Sequence, residues 1–372
     1  MQKILVWDLP TRLFHWLLAS AFAVAWLTAE ADAWLAVHVF AGYLMLGLVA
    51  FRLLWGAIGS RYARFASFRF SPKEAIAYLE KTLHGKAARH IGHNPAGSWA
   101  IYGLLALALL IGVTGLLTLG GEENHGPFAG LLSYGLGHAF KELHEGLASA
   151  MLALVGLHLA GVAVESLLHK ENLAKAMVTG CKEGEATQAA TSARRFSAML
   201  LLALVLAGGA WYFKGYLLET PQQPYRPFVG PSLPDNKVWR SECGTCHLAF
   251  HPSLLPARSW QRMLAEQDNH FGETLGLDAA ATREILAFLE NNAADRQLTE
   301  AAYKIDRSVP AGEAPLRITD TPYWQKKHRG IPPETWRNPK VASKANCAAC
   351  HLDAEQGTFE DGAMRLPSGL GK

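Results

Sequence analysis

Charge is scarce in this chain. Charged residues make up 18% of its 372 residues, while 50% are hydrophobic. The formal net charge is only +3, which offers no electrostatic footprint for nucleic acid. There is no glycine-rich nucleotide loop and no catalytic-triad pattern, so no catalytic residue is assigned. Certain loops also lack positive charge. Residues 30–34 hold no Lys or Arg, and residues 120–146 hold only Lys141. By contrast, residues 59–97 carry Arg61, Arg64, Arg69, Lys73, Lys81, Lys86 and Arg89, and residues 169–196 carry Lys170, Lys175, Lys182, Arg194 and Arg195.

The mean hydropathy of +0.08 hides a division within the chain. The first 213 residues hold long apolar runs, and the remainder is ordinary soluble sequence. Spanning a bilayer takes about 17–25 apolar residues of helix. Five stretches qualify, at roughly 13–29, 35–58, 98–119, 147–168 and 197–213, the last being the shortest. The first could be a secretory signal, but it contains His15 and follows the apolar run Ile4–Trp7, so it is read as retained. Basic loops stay on the cytoplasmic side. The alternation therefore puts the N-terminus in the cytoplasm of a bacterial inner membrane, and five crossings deliver the C-terminal part to the periplasm. The domain reading is a membrane domain over 1–196, a fifth spanning helix over 197–218, a Pro-rich tether over 219–234 and a periplasmic domain over 235–372. In that last domain, helices are expected near 256–270 and 278–293, the second capped by Asp278. Residues 296–345 read as mostly irregular.

Five cysteines are present, and four of them form two Cys-x-x-Cys-His motifs: Cys243, Cys246 and His247, then Cys347, Cys350 and His351. This is the attachment pattern of c-type haem. The thiols bond the porphyrin edge and the adjacent His reaches the iron. A four-thiolate zinc site would not need His after both pairs, which lie about a hundred residues apart. Two covalently attached c haems are expected. Cys181 reads as an incidental free thiol.

Ionisable residues inside spanning helices suggest function. His15 lies near the cytoplasmic start of the first span and His38 near the periplasmic start of the second. His144 and His158 share the fourth. Fourteen residues separate them, which is about 21 Å along a helix and about 40° around it. His15 can then meet His158 at the inner level, and His38 can meet His144 at the outer. Two bis-imidazole pairs are a ligand set for two b haems. His125 and His138 are loop rivals for the outer site and read as solvent-exposed. His84, His90 and His93 read as surface residues. Gly42, Gly47, Gly112, Gly115, Gly156 and Gly161 either let helices approach closely or leave room for a macrocycle. Arg52 and Glu165 lie near inner helix ends. They could form an ion pair, hold a propionate or line a quinone pocket, and snorkelling is the plainest reading.

Residues 1–180 resemble the bacterial cytochrome b561 family, which includes b-type subunits of membrane hydrogenases. The resemblance is carried by Trp7–Trp16, the surroundings of His38, Phe51–Gly56, and the stretch from His144 to Gly180. The family's haem ligands fall on His15, His38, His144 and His158. Residues 239–367 resemble dihaem cytochrome c. Here the matching pieces are Cys243–His247, Leu255–Trp260, Asn269–Glu273, Lys327–Arg329 and Asn346–His351.

These resemblances imply a mainly α protein: a membrane four-helix haem-binding bundle, a fifth transmembrane helix, and a small, mostly helical dihaem domain with long irregular segments. Two-histidine ligation in the dihaem family requires distal ligands, for which His270 and His328 are the candidates. His251, four residues after His247, sits too close to reach the other face. The implied function is electron transfer from quinol through two b haems and two c haems to a soluble periplasmic acceptor, such as a small oxygen-binding cytochrome. Two alternatives are an enzyme acting on a small oxidant or superoxide and a b-type subunit of a dehydrogenase or hydrogenase.

Overall fold

The computed structural model describes residues 2–31, 34–184, 190–217, 225, 229–230 and 232–367. The chain divides into two compact units, residues 1–115 with 141–218, and residues 116–140 with 219–372. The Pro-rich tether expected over 219–234 lies largely outside the described residues.

The first unit opens with strand β1 (Gln2–Leu5) and helix α1 (Leu9–Leu27). Asp8 caps α1, its Oδ1 accepting the Thr11 amide at 2.8 Å; this satisfies one of the free N–H groups of a first turn. Helix α2 (Leu35–Ile58) follows, then the amphipathic α3 (Pro72–Leu83), α4 (Pro95–Gly121) and the long α5 (Tyr134–Leu168). Short α6 (Leu173–Thr179) ends at Gly180, whose φ is 82°. A side chain there would meet the Trp7 carbonyl at 2.6 Å, so glycine suits both the conformation and the approach. Strand β2 (Cys181–Gly184) then pairs antiparallel with β1, Leu5 opposite Cys181. Helix α7 (Arg195–Tyr212) completes the unit and ends in a π-type turn over Phe213–Leu217.

Phe14, Met45, Leu48, Val49, Leu105, Ile111, Met151 and Leu201 form one buried core drawn from α1, α2, α4, α5 and α7. Helix α7 is thus packed into the unit, and Tyr212 donates its hydroxyl proton to the Ala36 carbonyl at 2.7 Å. Large apolar side chains such as Leu157, Leu159, Leu167, Leu204, Leu206 and Trp211 remain exposed. A continuous apolar exterior of this kind suits lipid.

Among the described residues, four helical segments are long and apolar enough to cross a membrane: α2, α4, α5 and Arg195–Gly215. The expected first span is a 19-residue helix, α1, but is not one of these four. Arg12, His15 and Trp16 lower its hydropathy, although its buried face joins the shared core.

The second unit contains α8 (Lys237–Cys243), α9 (Ala257–Ala265), α10 (Ala279–Asn291), α11 (Glu300–Ser308), α12 (Pro322–His328) and α13 (Pro333–Arg337). Asp278 caps α10 by accepting the Ala280 and Ala281 amides, each at 2.8 Å. Trp239, Leu255, Trp260, Leu264, Ile285 and Leu289 form its main core. Leu254, Ala302 and Ile305 form a second. Residues 296–345, expected to be mostly irregular, hold three short helices, each anchored by a few residues rather than by a long apolar period. The segment 116–140 groups with this unit. The Tyr134 amide donates to the Leu298 carbonyl at 3.2 Å, and the Tyr134 ring meets Tyr303 at 5.2 Å. His138, expected in solvent, is half exposed and bonds the Glu122 carboxylate at 2.7 Å.

Candidate haem centres

The structure brings eight histidines together as four pairs. Within the first unit, the ring centroids of His15 and His158 are 6.4 Å apart, and those of His38 and His144 are 6.1 Å apart. Within the second, His247 meets His270 and His328 meets His351, each at 6.3 Å. Two imidazoles bound through nitrogens about 2 Å from one metal, on opposite sides of it, have centroids about 6 Å apart. All four pairs have that spacing.

Hydrogen bonds orient several of these rings. His38 Nδ1 lies 2.9 Å from the Ala25 carbonyl in the last turn of α1, a carbonyl that also accepts the Thr28 amide at 3.3 Å. His144 Nδ1 lies 3.0 Å from the Ile111 carbonyl and 3.2 Å from the Thr114 hydroxyl. His247 Nδ1 is 2.7 Å from the Leu248 carbonyl, and His328 Nδ1 is 2.8 Å from the Trp324 carbonyl. Each ring then donates from Nδ1 and keeps Nε2 as an acceptor, the tautomer that suits metal ligation. His15 Nδ1 and His351 Nδ1 are buried without a partner.

Local sequence explains how the distal candidates are presented. After α9, the segment His270–Glu273 closes on itself. The His270 amide donates to the Glu273 carbonyl at 2.6 Å, and the Glu273 amide returns to the His270 carbonyl at 3.2 Å. Phe271 takes a φ of 58° inside this turn, a rare conformation for a bulky residue. Arg317 stacks on its ring at 4.1 Å. His328 ends α12 and stacks on Trp324 at 4.3 Å. Burial lowers the pKa of His270, His328 and His351, keeping the neutral imidazole that binds metals. His251 is elsewhere engaged: its Nδ1 accepts the Ser253 amide, and burial lowers its pKa to about 4.

Among the described residues, no group of three or more His, Cys, Asp or Glu side chains could hold a metal ion, so the two cysteine pairs do not form a shared thiolate centre. Burial pushes the Cys243 thiol up to about 11 and also raises Cys347 and Cys350.

The glycines divide between the two readings. A side chain at Gly112 would strike Leu46, and one at Gly115 would crowd His144 at 3.1 Å, so these serve close packing. At Gly42, Gly47, Gly156 and Gly161 an added Cβ would meet nothing within 4 Å. Gly161 faces a cavity of about 760 Å³ also lined by Phe14, His15, Arg52, Tyr78, His158 and Glu165. Open space beside paired imidazoles is the shape a macrocycle needs.

Sequence reasoning misplaced the polar end of this cavity. His93, read as a surface residue, is wedged between Trp7 and Phe68, with centroids at 4.7 and 4.4 Å. Burial, with Arg52 and Lys182 nearby, lowers its pKa to about 3. His90 is partly buried beside Tyr78. Arg52 does not snorkel and is 3% exposed. A signal for His93 was available: Asn94 accepts the Gly97 amide at 2.6 Å. Asn94-Pro95 therefore marks a helix start, placing His93 at the mouth of a spanning helix.

The family described as Prokaryotic cytochrome b561 matches residues 6–180, and the family described as Dihaem cytochrome c matches residues 239–359. The chain is a cytochrome b561 domain fused to a dihaem cytochrome c domain. The diheme cytochrome c from Rhodobacter sphaeroides is 38% identical over 35% of this chain and 100% of its own, with a TM-score of 0.31. A diheme cytochrome c from Shewanella baltica OS155 is 33% identical over 36% of this chain and 95% of its own, with a TM-score of 0.29. No curated protein matches the chain. The b561–cytochrome c fusion is thus a membrane protein that binds b-type and c-type haem and transfers electrons.

Proposed function

We propose that this fusion is a membrane-anchored tetrahaem protein that takes electrons from quinol in the bilayer and delivers them to a soluble periplasmic acceptor. The observation that carries this reading is the common spacing of the four histidine pairs, 6.1 to 6.4 Å. His15 with His158 and His38 with His144 would hold two b haems. His247 with His270 and His351 with His328 would hold two c haems, attached through Cys243, Cys246, Cys347 and Cys350. When bound, the haems would supply one-electron carriers, each held by two histidines, a ligand set that would suit outer-sphere transfer.

The chain's own residues do the rest. Backbone carbonyls fix the His38, His144, His247 and His328 rings. Gly42, Gly47, Gly156 and Gly161 keep side chains out of the space beside the membrane pairs. The quinol side is supported by the large cavity, which is apolar around His158 and polar at its far end. There Glu165 lies one heptad beyond His158 on α5, about 10 Å along the axis and on nearly the same face. Tyr78 donates to Glu165, and His169 Nε2 lies 3.3 Å from it. A carboxylate so placed can accept a proton from a hydroxyl in the cavity. A second cavity of about 320 Å³, sharing His90, Gly92 and His93 with the first, offers the proton a polar exit.

The test combines haem counting with kinetics. Acid-acetone extraction should release two haems per chain and leave two covalently attached. In stopped flow, a quinol analogue should reduce the c-haem band rapidly. His38→Ala or His144→Ala should remove one extractable haem, keep both covalent ones and abolish rapid reduction by quinol, while a soluble chemical reductant still works. Wild-type rates in a variant shown to lack that haem would exclude the route.

A further inference from the structure

A charge inside a membrane domain is costly unless it is paired or hydrogen-bonded. Arg52 sits on α2 with 3% exposure, and its Nη1 has no hydrogen-bond partner. The carboxylate of Asp8, whose charge reaches Arg52, is already engaged. Asp8 accepts the Thr11 amide through Oδ1 at 2.8 Å and the Trp55 indole N–H through Oδ2 at 3.0 Å. Phe65 stacks against the guanidinium at 4.6 Å. That contact offsets some of the charge but leaves Nη1 without an acceptor. Arg52 lines the same cavity as His15 and His158. A buried guanidinium with a free N–H, opening on a cavity, fits a planar carboxylate.

We propose that Arg52 anchors a carboxylate of the prosthetic group held between His15 and His158, a b haem carrying propionates on its edge. This rests on the reading of those two histidines as ligands. A fixed positive charge near the iron favours its reduced state, so Arg52 raises the potential of the inner haem relative to a neutral residue. Arg52 is then a positioning and charge-compensating residue. The rival source of the same oxyanion chemistry is the phosphate of a bound phospholipid.

The experiment is an equilibrium redox titration of the purified full-length protein, Arg52→Gln and Arg52→Lys, following the b-haem bands. The inner haem is identified as the one remaining in His38→Ala. Arg52→Gln should lower the inner midpoint and leave the outer one unchanged, with Arg52→Lys between wild type and Gln. An inner midpoint in Arg52→Gln equal to that of wild type overturns the proposal. So does a shift that disappears once bound phospholipid is removed from both proteins, which assigns the anion to lipid. If Arg52→Gln retains no inner haem, the neutral Arg52→Met variant decides, and an unchanged midpoint there overturns the proposal. Retention of both b haems in His15→Ala would mean that the ligand reading fails, separately from the role of Arg52.

Discussion

Tyr78 places its hydroxyl 3.0 Å from both carboxylate oxygens of Glu165, across 87 residues of sequence. The pair joins the amphipathic α3 to the end of α5. Burial and the Glu165 charge both raise the Tyr78 pKa, so the phenol stays protonated and serves as a fixed donor. His169 flanks the carboxylate, and His90 and Lys182 share its electrostatic surroundings.

Glu165→Gln should therefore slow quinol-driven reduction by roughly 100-fold, the scale of a lost proton acceptor. Haem content and the spectrum of the chemically reduced protein should not change. Tyr78→Phe should have a smaller effect of the same sign. Stopped-flow rates against quinol concentration are the measurement, and wild-type rates in Glu165→Gln would place the proton acceptor elsewhere.

The distal histidines of the c domain can be probed one at a time. His270→Met or His328→Met should leave the haem attached, because the cysteine thioethers remain. The potential of the affected haem should rise by something on the order of 0.1 V, a modest part of the span available to axial ligands. Potentiometry with visible spectra is the check. If neither variant moves a midpoint, other residues complete the c-haem coordination.

Sidedness turns on α1. A crossing by α1 gives five spans and puts the two ends of the chain on opposite sides; without it the count is four. A reporter placed ahead of α1 and one at Lys73 should both be cytoplasmic, with one at the C-terminus periplasmic. Opposite compartments for the first two would mean that α1 does not cross.

Glu360 predicts a pH response in the second unit. Burial raises its pKa to about 8, and Glu123, Asp353, Glu300 and Asp361 add to the shift. Its folded pKa lies above the ordinary value of 4.5. Its contribution to stability is therefore complete below about pH 4.5 and lost as pH rises through about 8. Thermal melting of this unit should fall between pH 6 and pH 9, and Glu360→Gln should shrink that fall. An equal fall in both proteins would place the titration in another group.

Much of this was legible in the sequence, for definite reasons. The pairing of His15 with His158 and of His38 with His144 follows from one helix period and the direction of each span. The Cys-x-x-Cys-His motifs are local and stand out directly. The capping role of Asp278 is also local. What escaped depends on contacts far apart in sequence. His93 is buried only because Trp7 and Phe68 close over it. The segment 116–140 joins the C-terminal unit through Leu298 and Tyr303, which no periodicity reveals. Helices α11 to α13 are too short to build an apolar pattern. Helix α1 carries polar residues that its partners cover.

Helix α5 carries His144, His158 and Glu165 at successive multiples of seven residues. An insertion of one residue between His144 and His158 would turn the lower imidazole by about 100° and shift it by only about 1.5 Å. Inserting a whole heptad would nearly restore the facing but lengthen the separation by about 10 Å. The interval is thus locked in phase and in depth together. Drift can lengthen the loops around this helix, whereas an insertion or deletion within it would uncouple the two levels at a stroke.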